Sequence, residues 1–243
     1  MPREPVAVAI ATAEGKQRYV RRLFATIANR YDLITILLSY GLDRRWKRRL
    51  VRLARPLSGA RALDLATGTG DIAIACARHG ATVVGLDVTA RMIEIAREKT
   101  TKTTRSPSIE FVVGDMLALP FPAASFDLVT TGYGLRNVPD LTTALDEIKR
   151  VLKPGGCMLS LDFNRPSNGV VRALYLAYLT AVGGALGWLL HRDADTYRYI
   201  PASIRRYPGA AQVAGLMRAR GFSRARYHPV LGGLMAIHHA VRD

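Results

Sequence analysis

Three carboxylates and a glycine turn are spaced to hold a nucleoside-like ligand that carries a positive charge. "LDLATGTGDIAIACARHGATVVGLD", residues 63 to 87, places Asp64 before Gly68, Thr69 and Gly70, and ends on Asp87. The glycines let the backbone approach a ligand closely. Asp87, closing an apolar run, can accept hydrogen bonds from both hydroxyls of a ribose. Asp115, in "VVGDMLALPFP", is suited to accept from an adenine amino group, and Met116 beside it offers a backbone N–H and an apolar surface for the ring. Asp64, four residues before Gly68, faces the turn, where it can help receive the amino group of a methionine moiety. It would repel a pyrophosphate. The loose G-x-G-x-x-A of "GTGDIA" also suits nicotinamide dinucleotides, and Asp87 serves either ligand. Asp64 and Asp115 together favour S-adenosyl-L-methionine. Alternatives remain for each: Asp64 bracing the turn backbone, Asp115 capping a helix.

The elements that position these residues follow from hydrophobic patterning. Strands are expected near 60–66, 82–87, 109–114, 126–131 and 157–163, and helices near 70–79, 89–100 and 141–152. "FSRARYHPVLGGLMAIHHAVR" adds two strands around Gly232–Gly233. The expected fold is α/β and Rossmann-like, of the class I S-adenosylmethionine-dependent methyltransferase type. Its seven-stranded sheet would be mostly parallel, with a C-terminal antiparallel strand. Residues 1–15 look like a flexible tail, 16–58 a basic helical segment and 59–243 the methyltransferase domain, with an apolar helical insertion at about 168–205. In the basic segment Val20, Leu23, Phe24, Ile27 and Tyr31 recur at helical spacing, and "RPLSG" (55–59) marks the boundary.

The chain has 243 residues, 49% of them hydrophobic, so one well-packed domain is expected. Cys76 and Cys157 are the only cysteines and form no C-x-x-C pair, which argues against a disulfide framework and a zinc site. No metal site is expected. The expected setting is cytoplasmic, with a peripheral place at the inner face of the cell membrane left open, and the N-terminus shows no signal-peptide pattern. Net charge is +16, and residues 1–60 hold 13 Lys/Arg against 4 Asp/Glu, a local excess of +9. Such a field favours an anionic membrane surface or a nucleic acid. Nucleic acid is disfavoured, because aromatics do not interleave with the basic runs as stacking platforms would.

"ALYLAYLTAVGGALGWLL", residues 173 to 190, has no charge and carries Gly183 and Gly187 at small-xxx-small spacing. As a helix it would span roughly 27 Å, just short of the ~30 Å hydrocarbon core. A helix buried in the domain or lining an apolar pocket is expected, not a membrane span.

Beyond the glycine turn, "YDLITILLSYGLDRRWKR", "TGYGLRNVPD", "RVLKPGGCMLSLDFNRPS", "DADTYRYIPASIRRYP" and "GLMAIHHAVR" follow in order between about residues 16 and 242. In these stretches the chain resembles the UbiE/MenG quinone C-methyltransferases, the group that includes the mitochondrial ubiquinone-pathway C-methyltransferase. The resemblance implies methylation of a ring carbon of a prenylated quinol, either demethylmenaquinol or a ubiquinone intermediate. It implies cofactor contacts at Thr69, Asp87, Asp115 and Met116. Gly132 stands where the family often has Ser, Thr35 where it usually has Asn, Asp43 where it often has His or a basic residue, and Asp162 where Glu is commoner.

A ring carbon becomes nucleophilic once the neighbouring hydroxyl ionises, and a phenol's pKa is near ~10. Arg136, just beyond the fourth strand, is the candidate to hold that oxygen as an anion, since guanidinium stays charged and is a poor base. The alternative is a loop-shaping pair with Asp140. Asn137 is a candidate to orient the hydroxyl. Tyr31, Asp162, His191 and Tyr197 are candidate proton acceptors, while His228, His238 and His239 are expected to be structural. The expected partners are the prenylated quinol and an anionic membrane surface, and the sequence leaves a homo-oligomer open. Two alternatives remain: methylation of another lipid or small hydrophobic acceptor such as a phospholipid headgroup, and a nucleic-acid-binding protein.

Overall fold

Central parallel strands covered on both faces must be almost wholly apolar, and "ALDL" and "VVGLD" meet that requirement. In the computed structural model, which describes residues 6–54, 56–103 and 108–243, they form β1 (Arg61–Leu65) and β2 (Thr82–Asp87), buried after their first residue. With β3 (Ile109–Val113), β4 (Phe126–Gly132), β5 (Leu152–Phe163), β6 (Phe222–Val230) and β7 (Met235–Arg242) they make one seven-stranded sheet of order β3-β2-β1-β4-β5-β7-β6. β1 to β5 are parallel, and β7 runs antiparallel to both β5 and β6. The strand order reverses between β1 and β4, so a ligand crevice is expected outside their carboxyl ends.

The helices, in chain order, are α1 (Val6–Ala9), α2 (Ala13–Ile27), α3 (Tyr31–Leu38), α4 (Asp43–Leu53), α5 (Asp71–Ala77), α6 (Ala90–Thr103), α7 (Leu141–Val151), α8 (Gly169–His191), α9 (Tyr199–Arg206) and α10 (Ala210–Ala219). The chain breaks between α3 and α4 at Gly41, which takes φ +74°. The tail expected over 1–15 is corrected for residues 6–15. Thr12 caps α2, its Oγ1 accepting from Gly15 N at 3.1 Å, and Ile10 is buried in a cluster with Val20 and Tyr199. The physical reason is apolar: Val6 and Ile10 pack against Val20 of α2 and Tyr199 of α9. Residues 1–5 of that tail, and Arg55 of the boundary, lie outside the described residues.

α8 corresponds to the uncharged segment. Asn168 caps it, accepting from the N–H groups of Val170 and Val171. Its packed side is Tyr175, Leu176, Leu179, Gly183 and Gly187. A Cβ at Gly183 would stand 3.2 Å from Tyr197 Cβ, so the small residue lets α8 lie directly on the turn that leads into α9. Only 28% of its most apolar window is buried. The helix is therefore not enclosed by the domain: one side packs inward and the other, with Leu174, Trp188 and Leu189, is open.

Candidate active site

Local backbone geometry builds the cofactor cleft. After β1 the chain turns through Ala66 (φ +49°), Gly68 (φ +53°) and Gly70 (φ +84°) into α5. Gly68 N donates to Asp87 Oδ2 at 2.9 Å, and Thr89 N donates to Asp87 Oδ1 at 2.8 Å. The acid that ends β2 thus grips the glycine turn from across the crevice. Burial raises its pKa, against the backbone hydrogen bonds that lower it. Gly68, Asp87, Asp115, Met116 and Gly132 all line one cleft. A Cβ at Gly68 would point toward Tyr31, 3.7 Å from its ring, into the space a ligand needs. At Gly132 a Cβ would come within 2.8 Å of Ile72 Cδ1, which explains why glycine suits this chain there.

Three of the expected cofactor residues do not line the cleft. Asp64 lies beneath the turn, 1% exposed, and accepts from Thr67 Oγ1 at 2.6 Å and Thr130 Oγ1 at 2.7 Å. It braces β1, β4 and the turn, and burial pushes its carboxyl up to about 6. Thr69 donates instead to Asp32 Oδ1 on α3 at 2.6 Å. Gly70 serves packing: a Cβ there would be 3.1 Å from the Phe111 ring. Asp115 does face the cleft, where Gln17 Nε2 of α2 donates to its Oδ2 at 2.7 Å and Leu117 N to its Oδ1 at 3.0 Å.

Beside the cleft opens a larger, mainly apolar cavity. Phe24, Tyr31 and Tyr133 line both spaces and form the partition between them. The far wall includes Tyr175, Tyr178 and Leu179 of α8, as expected for a segment lining an apolar pocket. Arg136 also lines this cavity, 4% exposed. Its partner is not Asp140, which instead caps α7 by accepting from Thr142 N and Thr143 N. Arg136 pairs with Asp162: Nε lies 3.3 Å from Oδ1 and its backbone N donates to Oδ2 at 3.0 Å. A further bond runs to Ser203 Oγ, and the guanidinium sits 5.1 Å from the Phe163 ring and 5.7 Å from that of Tyr199. Burial raises the Asp162 pKa, and Arg136 works against it.

Asn137 lines the cofactor cleft with both ends of its amide engaged, donating to Tyr133 O at 2.7 Å and accepting from Tyr199 OH at 3.0 Å. Tyr31 is half-buried in the partition, its phenol pushed up to about 12 chiefly by burial. Tyr197 lines the apolar cavity and pairs with His191 Nε2 at 2.8 Å. His238 is structural, between Ser160 Oγ and Ala210 O. Sequence reasoning missed Tyr133 and the acid Asp43 bonded to it. The signal was Tyr133 itself, a polar-tipped aromatic between two glycines at the end of β4.

The chain matches the ubiE/COQ5 methyltransferase family over residues 12–242. It is 40% identical over 230 residues to the ubiquinone/menaquinone biosynthesis C-methyltransferase UbiE of Xanthomonas campestris, covering 93% of this chain and 90% of that protein. It is 43% identical over 218 residues to the demethylmenaquinone methyltransferase of Thermus thermophilus, covering 89% and 98%. Among solved structures, a SAM-dependent methyltransferase from Thermotoga maritima has a TM-score of 0.66 at 18% identity, covering 92% of this chain and all of that one. Haemonchus contortus phosphoethanolamine N-methyltransferase 2, in complex with S-adenosyl-L-methionine, has a TM-score of 0.60 at 17% identity, covering 82% and 52%. At these identities the structural likeness is one of fold. The nearly full-length match carries the rest: the chain belongs to the ubiE/COQ5 methyltransferase family.

Proposed function

We propose that the chain is an S-adenosylmethionine-dependent C-methyltransferase acting on the ring of a prenylated quinol in menaquinone or ubiquinone biosynthesis. The observation that carries this reading is the partition of Phe24, Tyr31 and Tyr133 between a cleft with two strand-end acids and an apolar cavity that holds one buried guanidinium. The acids suit the cofactor: Asp87 for ribose hydroxyls, Asp115 for the adenine amino group, with Met116 against the ring. S-adenosylmethionine supplies an electrophilic methyl group on a sulfonium sulfur.

The protein's own work is orientation and charge. Holding ring and donor in register is worth roughly 7–11 kcal/mol when the geometry is good. Arg136, desolvated and stacked between Phe163 and Tyr199, offers positive charge to an ionising ring hydroxyl without reorganising. Asp162 and Ser203 fix its angle. A polyprenyl tail fits the apolar cavity beyond. The direct test is incubation with methyl-labelled cofactor and each reduced quinone head group, with mass spectrometry locating the methyl. One added methyl on a ring carbon is expected, and label found only on a headgroup amine would overturn the reading.

The tail also explains a surface that a water-soluble acceptor would not. Tyr40 and Tyr178, joined hydroxyl to hydroxyl, stand 73% and 37% exposed where the apolar cavity reaches solvent. Around them α3 exposes Leu33 and Leu37, and α8 exposes Leu174, Trp188 and Leu189. Arg44, Arg45, Arg48 and Arg49 are exposed on α4, which follows α3 in the chain. The reading is a cytoplasmic enzyme that rests this face on an anionic bilayer, each basic residue near the surface adding about 1 kcal/mol. Sedimentation with vesicles should show more protein in the pellet with anionic lipid than without, at low salt. Trp188→Ser combined with Leu189→Ser should reduce that recovery. Equal recovery in both vesicle types would count against charge-driven docking.

A further inference from the structure

A proton must leave the quinol hydroxyl, and two of the acceptors nominated from the sequence are already engaged elsewhere. Asp162 is engaged by Arg136, and His191 stands behind Tyr197. Tyr31 and Tyr133 both line the cofactor cleft and the apolar cavity, and the Tyr133 hydroxyl is in addition hydrogen-bonded to a buried carboxylate. Tyr133 follows Gly132 with φ +62°, a left-handed conformation that a bulky residue keeps only when its surroundings enforce it. The enforcing contact is on α4: Tyr133 OH donates to Asp43 Oδ1 at 2.7 Å, and Asp43 is 3% exposed. Lys47 Nζ holds the other oxygen of Asp43 at 2.7 Å and reaches Asp71 Oδ2 at 2.9 Å. Burial disfavours the Lys47 charge, but Asp71 and Asp43 outweigh it and the ammonium is retained. Tyr133 and Arg136 also flank one ring, Phe163, at 5.6 Å between ring centroids and 5.1 Å from the guanidinium. A quinol lying there would meet a cation and a hydrogen-bonded phenol together.

We infer that Tyr133 and Asp43 form a proton relay for the quinol hydroxyl, Tyr133 touching the ring oxygen and Asp43 receiving the proton behind it. The inference rests on the quinol reading above. The quinol O–H bond breaks with its electron pair left on oxygen, and the proton passes to the Tyr133 hydroxyl as the tyrosine's own proton passes to Asp43. Once the ring carbon has taken the methyl group, it releases its hydrogen as a proton to water. The ring oxygen then recovers the proton held on Asp43. One proton is released per turnover, and both residues end as they began. Tyr133 is the catalytic residue of the pair. Asp43, which acts through it, is the positioning residue.

The rival role for this bond is to fasten α4 to β4. Tyr133→Phe removes one oxygen and Asp43→Asn one charge, and both are compared with the unaltered protein. The assay is methyl transfer to a reduced short-chain naphthoquinol from pH 6 to 9, with cofactor affinity by calorimetry and melting followed in parallel. For Tyr133→Phe the expectation is unchanged cofactor affinity, an unchanged KM for quinol and a kcat lower by about a hundredfold near pH 6.5. That deficit should close toward pH 9 as hydroxide takes over, and folded Asp43→Asn should follow the same profile. Wild-type kcat in Tyr133→Phe at pH 6.5 would overturn the relay. So would a loss equal at every pH and matched by weaker cofactor binding, the signature of packing alone. If Asp43→Asn fails to fold, the Tyr133→Phe profile decides. Absence of quinol methylation by the unaltered protein at every pH would instead strike the functional reading beneath it.

Discussion

Replacing Arg136 with alanine is expected to lower kcat by about a hundredfold to a thousandfold, as removal of one donor to a developing oxyanion does elsewhere. The side chain is 4% exposed, so its charge acts on the quinol with little screening. The same substitution leaves the Asp162 carboxylate, 2% exposed, without its cation, and breaking a buried pair from one side costs about 3–5 kcal/mol. Activity and stability can be separated by pH. Burial already raises the Asp162 pKa against the pull of Arg136, and the variant removes that pull. An acid whose folded pKa lies above its unfolded value gains stability by protonation. That gain is complete below the unfolded value, near ~3.9, and is lost as pH rises through the folded one. The melting-temperature gap between Arg136→Ala and the unaltered protein should therefore be widest at pH 8 and narrow on acidification. The deficit in kcat should persist at pH 8 in protein that is still folded. Arg136→Lys keeps a charge but not the planar fork that reaches Asp162 and Ser203 together, so an intermediate kcat is expected. A normal kcat in folded Arg136→Ala would remove the guanidinium from the chemistry.

What the sequence made legible was mostly local. Apolar runs ending in Asp87 and Asp115, with a glycine turn before α5, mark strand ends because a buried parallel strand tolerates an acid only at its tip. The hairpin of β6 and β7 was visible from Gly232–Gly233 between two runs of strand character. Misreadings arose where a partner is distant in sequence. Asp64 and Asp87 look alike as acids at strand ends, but Asp64 meets Thr130, 66 positions away on β4, beneath the turn. The alternative for Arg136, a loop-shaping pair with nearby Asp140, gives way to Asp162, 26 positions on, which reaches it from the end of β5. Asp43 and Tyr133 are 90 positions apart. The uniform apolarity of α8 conceals that its two sides have different neighbours. Gly183 and Gly187 were the one available sign of which side packs.

Asp87 and Asp64 can be told apart by what their substitution changes. Asp87→Asn is expected to weaken S-adenosylmethionine binding by about tenfold to a hundredfold, the range for losing a hydrogen bond to a charged acceptor, with kcat at saturating cofactor nearly unchanged. The amide cannot accept from both Gly68 N–H and Thr89 N–H and still offer two acceptors to a ribose, because one of its ends is itself a donor. Losing the Gly68 anchor also frees the turn that must approach the ligand. Since burial raises the Asp87 pKa, affinity of the unaltered protein should fall on the acid side as the carboxylate takes up a proton. Asp87→Asn should lack that acid limb. Asp64→Asn is expected to leave cofactor affinity intact, because its carboxylate serves Thr67, Thr130 and the Ala73 backbone within the fold. Its effect belongs to stability: burial pushes the native carboxyl up to about 6, so its contribution is fullest below ~3.9 and is lost as pH rises through 6. Calorimetric titration of both variants between pH 5 and 8 decides the matter. Weakened binding in Asp64→Asn with normal binding in Asp87→Asn would reverse the two roles and place the cofactor under the turn rather than across it.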